Sequence, residues 1–183
     1  DQDGDADFVI GSLTGPDRLM INDGAGNLRL AVDVFEGAET PGTLGLALAA
    51  LDRDGRLDVV QAQGEHPEAT EERIYMGEGL TPDTLAPVIG PVEVSASGEG
   101  AGASRLVRAR VHDRKSPTLA AEWQEVALMW TAGGDEGASE GKAAMTWYGE
   151  FLWWALAPED AVNLRICATD LQGNQACSDV GPG

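Results

Sequence analysis

The sequence DQDGDADFV at residues 1–9 returns 51 positions later as DRDGRLDVV at residues 52–60. In each copy a glycine, Gly4 or Gly55, stands three residues before an aspartate, Asp7 or Asp58, that leads directly into an apolar run. Glycine permits the sharp turn of a tight loop, and the apolar run that follows reads as a strand. The repeat therefore predicts the same unit twice, namely an acidic loop that feeds a β-strand.

The acids alternate along each loop. Carboxylates at every second position repel one another unless a cation lies among them. Calcium takes about six to eight oxygen ligands, partly from backbone carbonyls, in loops of this kind. We therefore expect Ca²⁺ as the cofactor of this chain. The alternative is a pair of acidic turns that hold no metal.

Residues 1 to about 78 resemble a known family. The stretches DADFVIGS, DRLMINDGAGNLRL and ALAALDRDGRLDVVQAQGE are similar to the FG-GAP/VCBS repeat of integrin-alpha-like β-propellers. The resemblance implies propeller blades that carry a D-x-D-x-D-G-x-x-D calcium loop between strands. Closed propellers need about four to eight blades, and this length supplies roughly one and a half. We therefore expect a C-terminal piece of a longer protein, or strand edges that pair with other copies.

The resemblance assigns two sets of candidate metal ligands. In the first copy Asp1, Asp3 and Asp7 take the third, fifth and ninth positions of the motif, and Asp5 takes the seventh, which contributes a backbone carbonyl. In the second copy the corresponding residues are Asp52, Asp54, Asp58 and Arg56. The first position of the second copy is Ala50, which has no side-chain oxygen, so the second site should be weak or vestigial. The first position of the first copy would lie two residues before Asp1.

The fold class follows from the turn residues that separate the apolar runs of the chain. Short apolar runs alternate with Gly, Asp, Asn and Pro throughout, which predicts an all-β protein. We expect partial β-propeller blades over residues 1–78, a linker over residues 79–87, and a seven-stranded Ig-like β-sandwich over residues 88–183. The segment AAMTWYG is taken as one of the seven strands. Alternation supports the sandwich, since Val107, Ala109 and Val111 should share a buried face, as should Val162, Leu164, Ile166 and Ala168.

The second part also carries a resemblance. TPDTLAPVIGPVEV and VNLRICATDLQGNQAC are similar to the lead-in and the final hairpin of bacterial Ig-like or fibronectin-like domains. This resemblance implies a role in surface display or spacing.

The two cysteines, Cys167 and Cys177, flank a turn at residues 172–174. A hairpin there would place them opposite each other, within disulfide reach and on one sheet. The alternative is two free thiols. A disulfide would favour an extracellular or cell-surface location.

Adjacent tryptophans, Trp153 and Trp154, must face opposite sides of one strand. At least one should belong to the core, and the other is a possible ligand-facing aromatic that stacks on a sugar or docks a protein. The alternative is that both serve core packing.

The charge excludes several function classes. With 31 acids against 12 Lys and Arg, the net charge is −19. No basic stripe exists to bind nucleic acid, and no stretch is long and apolar enough for membrane insertion. GASEG around Ser139 and GEGAGA at residues 98–103 imitate enzyme motifs, but neither is followed by the helix that those motifs need. We expect no catalytic residues.

The interpretation is a non-catalytic extracellular calcium-binding adhesion or structural module of a larger secreted or surface protein. Its partners would be a protein or a glycan at the cell surface. The alternatives are an accessory region of a secreted hydrolase and a subunit of a surface filament, which would self-assemble through open strand edges.

Overall fold

The computed structural model describes residues 1, 3–35, 42–64, 71–78, 82–100, 103–114, 120–132 and 139–181. The chain divides into two compact units, Asp1–Asp83 and Thr84–Gly183. Parts of the predicted linker (79–81) and of the GASEG segment (137–138) lie outside the described residues. All regular elements in the described ranges are strands apart from one 3-10 turn at Ala120–Glu122, and none of these ranges holds a helix that could span a membrane. The all-β prediction is confirmed.

The first unit contains two three-stranded antiparallel sheets. The first sheet has the order β1-β2-β3 and the second the order β4-β5-β6. The strands are β1 (Phe8–Ile10), β2 (Arg18–Asn22), β3 (Leu28–Ala31), β4 (Thr43–Ala49), β5 (Asp58–Gln63) and β6 (Arg73–Tyr75). β3 ends at Ala31 although the apolar run continues to Phe35, because Asp33 adopts a φ of 60°, which lies outside the β region.

Polar side chains dominate the interior of this unit. Ile21 is its one fully buried apolar side chain among the described residues. The other buried side chains are Asp17, Thr43, Asp58, Gln61, Gln63 and Asp83. The backbone of Gly11 approaches Thr43 so closely that a Cβ at position 11 would lie 2.7 Å from the Thr43 methyl group. The two sheets therefore approach so closely here that there is no room for a side chain at Gly11.

The second unit is a sandwich of two four-stranded sheets. One has the order β10-β9-β13-β14 and the other the order β11-β12-β8-β7. The strands are β7 (Val88–Ser97), β8 (Ser104–His112), β9 (Trp123–Ala132), β10 (Ser139–Ala144), β11 (Thr146–Gly149), β12 (Leu152–Pro158), β13 (Ala161–Asp170) and β14 (Gln175–Asp179). The predicted face of Val107, Ala109 and Val111 is buried. It packs in one apolar core with residues of the facing sheet such as Leu128 and Ile166.

The described residues of this unit form eight strands, one more than the seven expected. AAMTWYG is not one strand, because the chain leaves one sheet and enters the other at Met145. β10 pairs with β9 up to Ala144, whereas β11 pairs with β12 from Thr146. Met145 is buried between the sheets and its N–H donates to the Val126 carbonyl at 2.8 Å. The alternation of side chains continues across this switch, so the pattern alone did not show it.

A bulge in β13 corrects a second expectation. Val162 was assigned to the buried face, but it is 48% exposed and Ala161 is buried in its place. The register against β9 shifts between Val162 and Arg165, and Asn163 lies there with a φ of 49°. One extra residue in a strand reverses the faces on one side of it. From Leu164 onward the predicted alternation holds.

Candidate metal-binding loops

Two acidic loops precede equivalent strands. The first loop (residues 1–7) leads into β1, and the second loop (residues 52–58) leads into β5. In the first loop the N–H of Asp3 donates to Asp1 Oδ1 at 3.3 Å, and the N–H of Asp5 donates to Asp3 Oδ1 at 3.2 Å. Each such bond folds a carboxylate back over the backbone two residues on.

The second loop repeats this geometry. The N–H of Asp54 donates to Asp52 Oδ1 at 3.0 Å, and the N–H of Arg56 donates to Asp54 Oδ1 at 2.8 Å. The glycines at equivalent positions, Gly4 and Gly55, have φ values of 98° and 82°, a region that favours glycine. The sequence repeat is therefore also a repeat of backbone conformation.

The last acid of each loop forms a hydrogen bond with the main chain at the end of a neighbouring strand, β2 for the first loop and β6 for the second. Asp7 Oδ1 accepts the N–H of Asn22 at 2.9 Å, at the end of β2. Asp58 Oδ1 accepts the N–H of Gly77 at 2.9 Å, just after β6. The second oxygen of Asp58 accepts the N–H of Leu51 at 2.7 Å, and the side chain is almost completely buried. Both acids hold the loop closed through main-chain hydrogen bonds.

Negative charge accumulates in the first loop. Burial raises the pKa of Asp5 above its usual value, and the charges of Asp3 and Asp7 raise that pKa further. Asp5 Oδ1 is shielded from solvent and has no hydrogen-bond partner among the described residues.

A neighbouring turn contributes a further carboxylate, Asp23, which the sequence reasoning missed. Its charge also raises the pKa of Asp5, whereas the N–H of Gly24 donates to Asp5 and lowers that pKa. The Asn27 side chain donates to Asp23 Oδ2 at 2.8 Å, and this bond lowers the pKa of Asp23. The Asp-Gly pair of NDGAGN signalled a turn, but nothing in the sequence showed that the turn faces the first loop.

The second loop is balanced differently. Arg56 stands where the first loop has Asp5, and its Nη1 lies 2.5 Å from Asp54 Oδ2. The side-chain hydrogen bond from Arg56 lowers the pKa of Asp54, and the N–H of Arg56 lowers it further. A cation that belongs to the chain therefore neutralises one acid of this loop.

Both loops lie in the stretch of the chain that matches one known family model. Residues 1–60 match the family model of the FG-GAP-like repeat. The FG-GAP-like repeat thus accounts for about a third of the chain, from the first loop through β4 to the start of β5. The match extends to no part of the second unit. No curated protein and no solved structure matches the chain.

The FG-GAP-like repeat is typical of structural modules of the extracellular, adhesion type, a class that is typically non-enzymatic. A disulfide accompanies it, as predicted. Cys167 and Cys177 are joined, with a Cα–Cα distance of 4.1 Å, and they face each other across β13 and β14 within one sheet. Together the repeat and the disulfide indicate an extracellular protein.

The structure separates the two adjacent tryptophans. Trp153 is only 6% exposed and packs edge-on against Trp123, with the ring centroids 6.0 Å apart, so it does not face a ligand. Trp154, on the opposite face of β12, is partly buried. The most exposed aromatic side chain is instead Tyr148, at 75%, in β11. Ser139, the central residue of the GASEG segment, opens strand β10.

Proposed function

We propose that the first unit is a calcium-stabilised structural module of a larger extracellular adhesion protein, and that its first loop binds the ion. The observation that carries this proposal is the solvent-shielded Oδ1 of Asp5, which has no hydrogen-bond partner among the described residues. The atom lies in a loop whose other acids, Asp3 and Asp7, act on Asp5 electrostatically. A divalent cation is the simplest group that satisfies such an oxygen and its neighbours.

The donors present fit calcium. Every candidate ligand in the first loop is an oxygen, which a hard cation prefers, and none is a thiolate or an imidazole. Bound calcium supplies positive charge and oxygen coordination that link the loop to its surroundings. The chain supplies the rest, because the hydrogen bonds between alternate residues keep the carboxylates folded over the loop. In this proposal the side-chain carboxylate of Asp5, and not only its backbone carbonyl, is a calcium ligand.

The turn at residues 22–27 holds one more carboxylate, that of Asp23, in a fixed position near the first loop. Asp23 accepts the N–H groups of Ala25 and Asn27 at 2.9 and 3.1 Å, so its carboxylate is fixed before any ion arrives. A rigid, ionised carboxylate costs little ordering entropy on binding. Loss of the cation would leave Asp23 and Asp5 to repel each other across the loop and the turn.

The second unit has the role of a spacer in this proposal. Its strand order, β7-β8-β12-β11 against β10-β9-β13-β14, corresponds to an immunoglobulin-like sandwich with one added strand. We assign it to an Ig-like domain that displays the first unit at a cell surface, where a protein or a glycan is the partner. The protein is non-catalytic in this assignment.

Differential scanning calorimetry with and without calcium tests the proposal. Extracellular calcium modules bind with dissociation constants of about 0.1 to 1 mM. At roughly 10 mM calcium the ion then adds about 1.4 to 2.7 kcal/mol to the stability of the unit. For a unit of this size that raises its melting temperature by roughly 6 to 22 °C. The Asp5→Asn variant should lose most of this increase.

Two comparisons make the result specific. In chelator, Asp5→Asn should be at least as stable as the wild type, because it removes like-charge repulsion without losing an ion. Asp33→Asn is the matched control, since Asp33 is exposed in the same unit and Asn tolerates its positive φ. It should keep the full effect of calcium. Equal melting temperatures with calcium and with chelator would contradict the proposal.

A second candidate function is self-assembly, the mode expected of a filament subunit. Phe8, Met20 and Leu30 lie side by side across the three strands of the first sheet. Phe8 and Leu30 are each about half exposed, and Ile10 and Leu28 are exposed as well. Apolar rows of this kind on an outer sheet face mark contact surfaces. The exposed apolar row therefore favours an assembly in which this face of the first sheet packs against a sheet of another copy.

Sedimentation velocity over a range of concentrations tests this second function. The wild type should associate as the concentration rises, and Phe8→Ser/Leu30→Ser should remain monomeric. Tyr148→Ser is the control, because Tyr148 is exposed in the second unit. A wild type that stays monomeric at every concentration and ionic strength would rule out the assembly function.

A further inference from the structure

The two loops share a backbone conformation but differ in charge at two aligned positions, Gln2/Arg53 and Asp5/Arg56, and only the second exchange reverses the sign of a side-chain charge. Asp5 in the first loop corresponds to Arg56 in the second, 51 residues later. The exchange replaces a negative side chain by a positive one. The loops otherwise make the same hydrogen bonds between alternate residues, so this difference is local.

Arg56 binds both oxygens of Asp54. Its main-chain N–H donates to Asp54 Oδ1 at 2.8 Å, and its guanidinium Nη1 lies 2.5 Å from Asp54 Oδ2. The two side chains are about one-third exposed, so solvent screens the pair only in part. In the first loop the corresponding Asp3 Oδ1 accepts the N–H of Asp5, but the side chain at position 5 is an acid and adds no cation.

We propose that the Arg56 guanidinium is a built-in cation that takes the place of a metal ion in the second loop. The chain then binds one calcium ion, in the first loop, and closes the second loop without one. The inference rests on the proposed function only for the first loop. Ala50 supports it independently, because the position that should supply the first carboxylate of the second loop has no side-chain oxygen.

The consequence is a difference in calcium dependence within one unit. The second loop keeps Asp58 bonded to Leu51 and Gly77 at any calcium concentration. The first loop depends on the ion. At low calcium, the segment around β1 should therefore open while the segment around β5 stays ordered.

Hydrogen exchange of the full chain, followed by mass spectrometry, tests this inference. The informative amides are those of Asp3 and Asp5 in the first loop and those of Asp54 and Arg56 in the second, since each donates to a loop carboxylate. Calcium should slow exchange in the peptide that covers residues 1–7 and leave the peptide that covers residues 52–58 unchanged. In chelator, Arg56→Gln should speed exchange of the second peptide about two- to five-fold, the range for a partly exposed ion pair.

Arg53→Gln is the matched control. Arg53 lies in the same loop, is exposed, and carries the same charge, so its loss should leave the second peptide unchanged in chelator. Equal protection of both peptides by calcium would overturn the inference while leaving the proposed function intact. Protection of neither peptide would overturn the proposed function. An Arg56→Gln variant that exchanges like the wild type in chelator would overturn the built-in cation in every case.

Discussion

Replacing Asp17 by alanine should separate the two sheets of the first unit. Asp17 Oδ1 accepts the N–H of Ser12 at 2.8 Å. Its Oδ2 accepts the Thr43 hydroxyl at 3.0 Å and the Gln61 side-chain amide at 2.6 Å. All three side chains are buried, so water cannot replace the lost acceptor without opening the structure. Asp17 therefore joins the loop after β1 to the first and second strands of the other sheet.

The magnitude follows from these bonds. A hydrogen bond to a charged group contributes about 1.5 to 3 kcal/mol, and removal of its acceptor leaves the donor buried without a partner. Gln61 and Thr43 still bond to each other in the variant, since they lie 2.5 Å apart. We therefore expect a loss of roughly 3 to 5 kcal/mol, less than the sum of three independent bonds. A unit of about 80 residues has a stability of roughly 4 to 12 kcal/mol in total, so the loss is severe.

Urea denaturation with two probes measures this loss. All five tryptophans lie in the second unit, so their fluorescence follows that unit, whereas far-UV circular dichroism follows both. The circular dichroism transition of the first unit should shift to lower urea by about 2 M or more. Asp17→Asn keeps a carbonyl for Ser12 and should lose only about 1 to 2 kcal/mol. An Asp17→Ala variant within about 0.5 kcal/mol of the wild type would refute the role of this network.

Two further predictions concern the second unit, and both are read by tryptophan fluorescence. Replacing Cys167 and Cys177 by serine removes a disulfide that closes a loop with a sequence separation of 10. The free energy of unfolding should fall by about 2 to 3 kcal/mol. An unchanged urea midpoint would contradict this prediction. Burial lowers the pKa of His112 below its usual value of 6.5, and the Arg114 charge lowers it further, so the folded state disfavours the proton. Stability should fall as the pH drops below about 6.5, because the unfolded chain then binds a proton more readily and a protonated ring loses the N–H donated by Arg114 to His112 Nδ1. His112→Asn should flatten this part of the pH profile, and a variant that keeps the same slope would show that other groups cause it.

Local patterns predicted the elements of the fold well. The all-β fold, the strands that follow the two acidic loops and the disulfide hairpin follow from short apolar runs, turn residues and the period of two. Val107, Ala109 and Val111 were placed on the buried face because alternation is a local property of a strand. These features depend on neighbours in the sequence.

Features that depend on distant partners could not be predicted. The switch of sheets at Met145 leaves the alternation intact, so no pattern marks it. The bulge at Asn163 adds one residue to β13. It is stabilised by a contact with a distant residue, because the Asn163 side-chain amide donates to the Thr131 hydroxyl at 3.0 Å. The repeat of the two loops is visible in the sequence. Only the fold shows that Asp23 lies near Asp5 and that Arg56 pairs with Asp54.

Isothermal titration calorimetry of the calcium-free chain measures whether the first loop alone binds calcium, as we claim. We expect one site per chain with a dissociation constant of about 0.1 to 1 mM. Binding should be lost in Asp3→Asn/Asp5→Asn and retained in Asp52→Asn/Asp54→Asn, a matched pair from the second loop. The absence of binding to the wild type, or the same affinity in the first-loop variant, would contradict the claim.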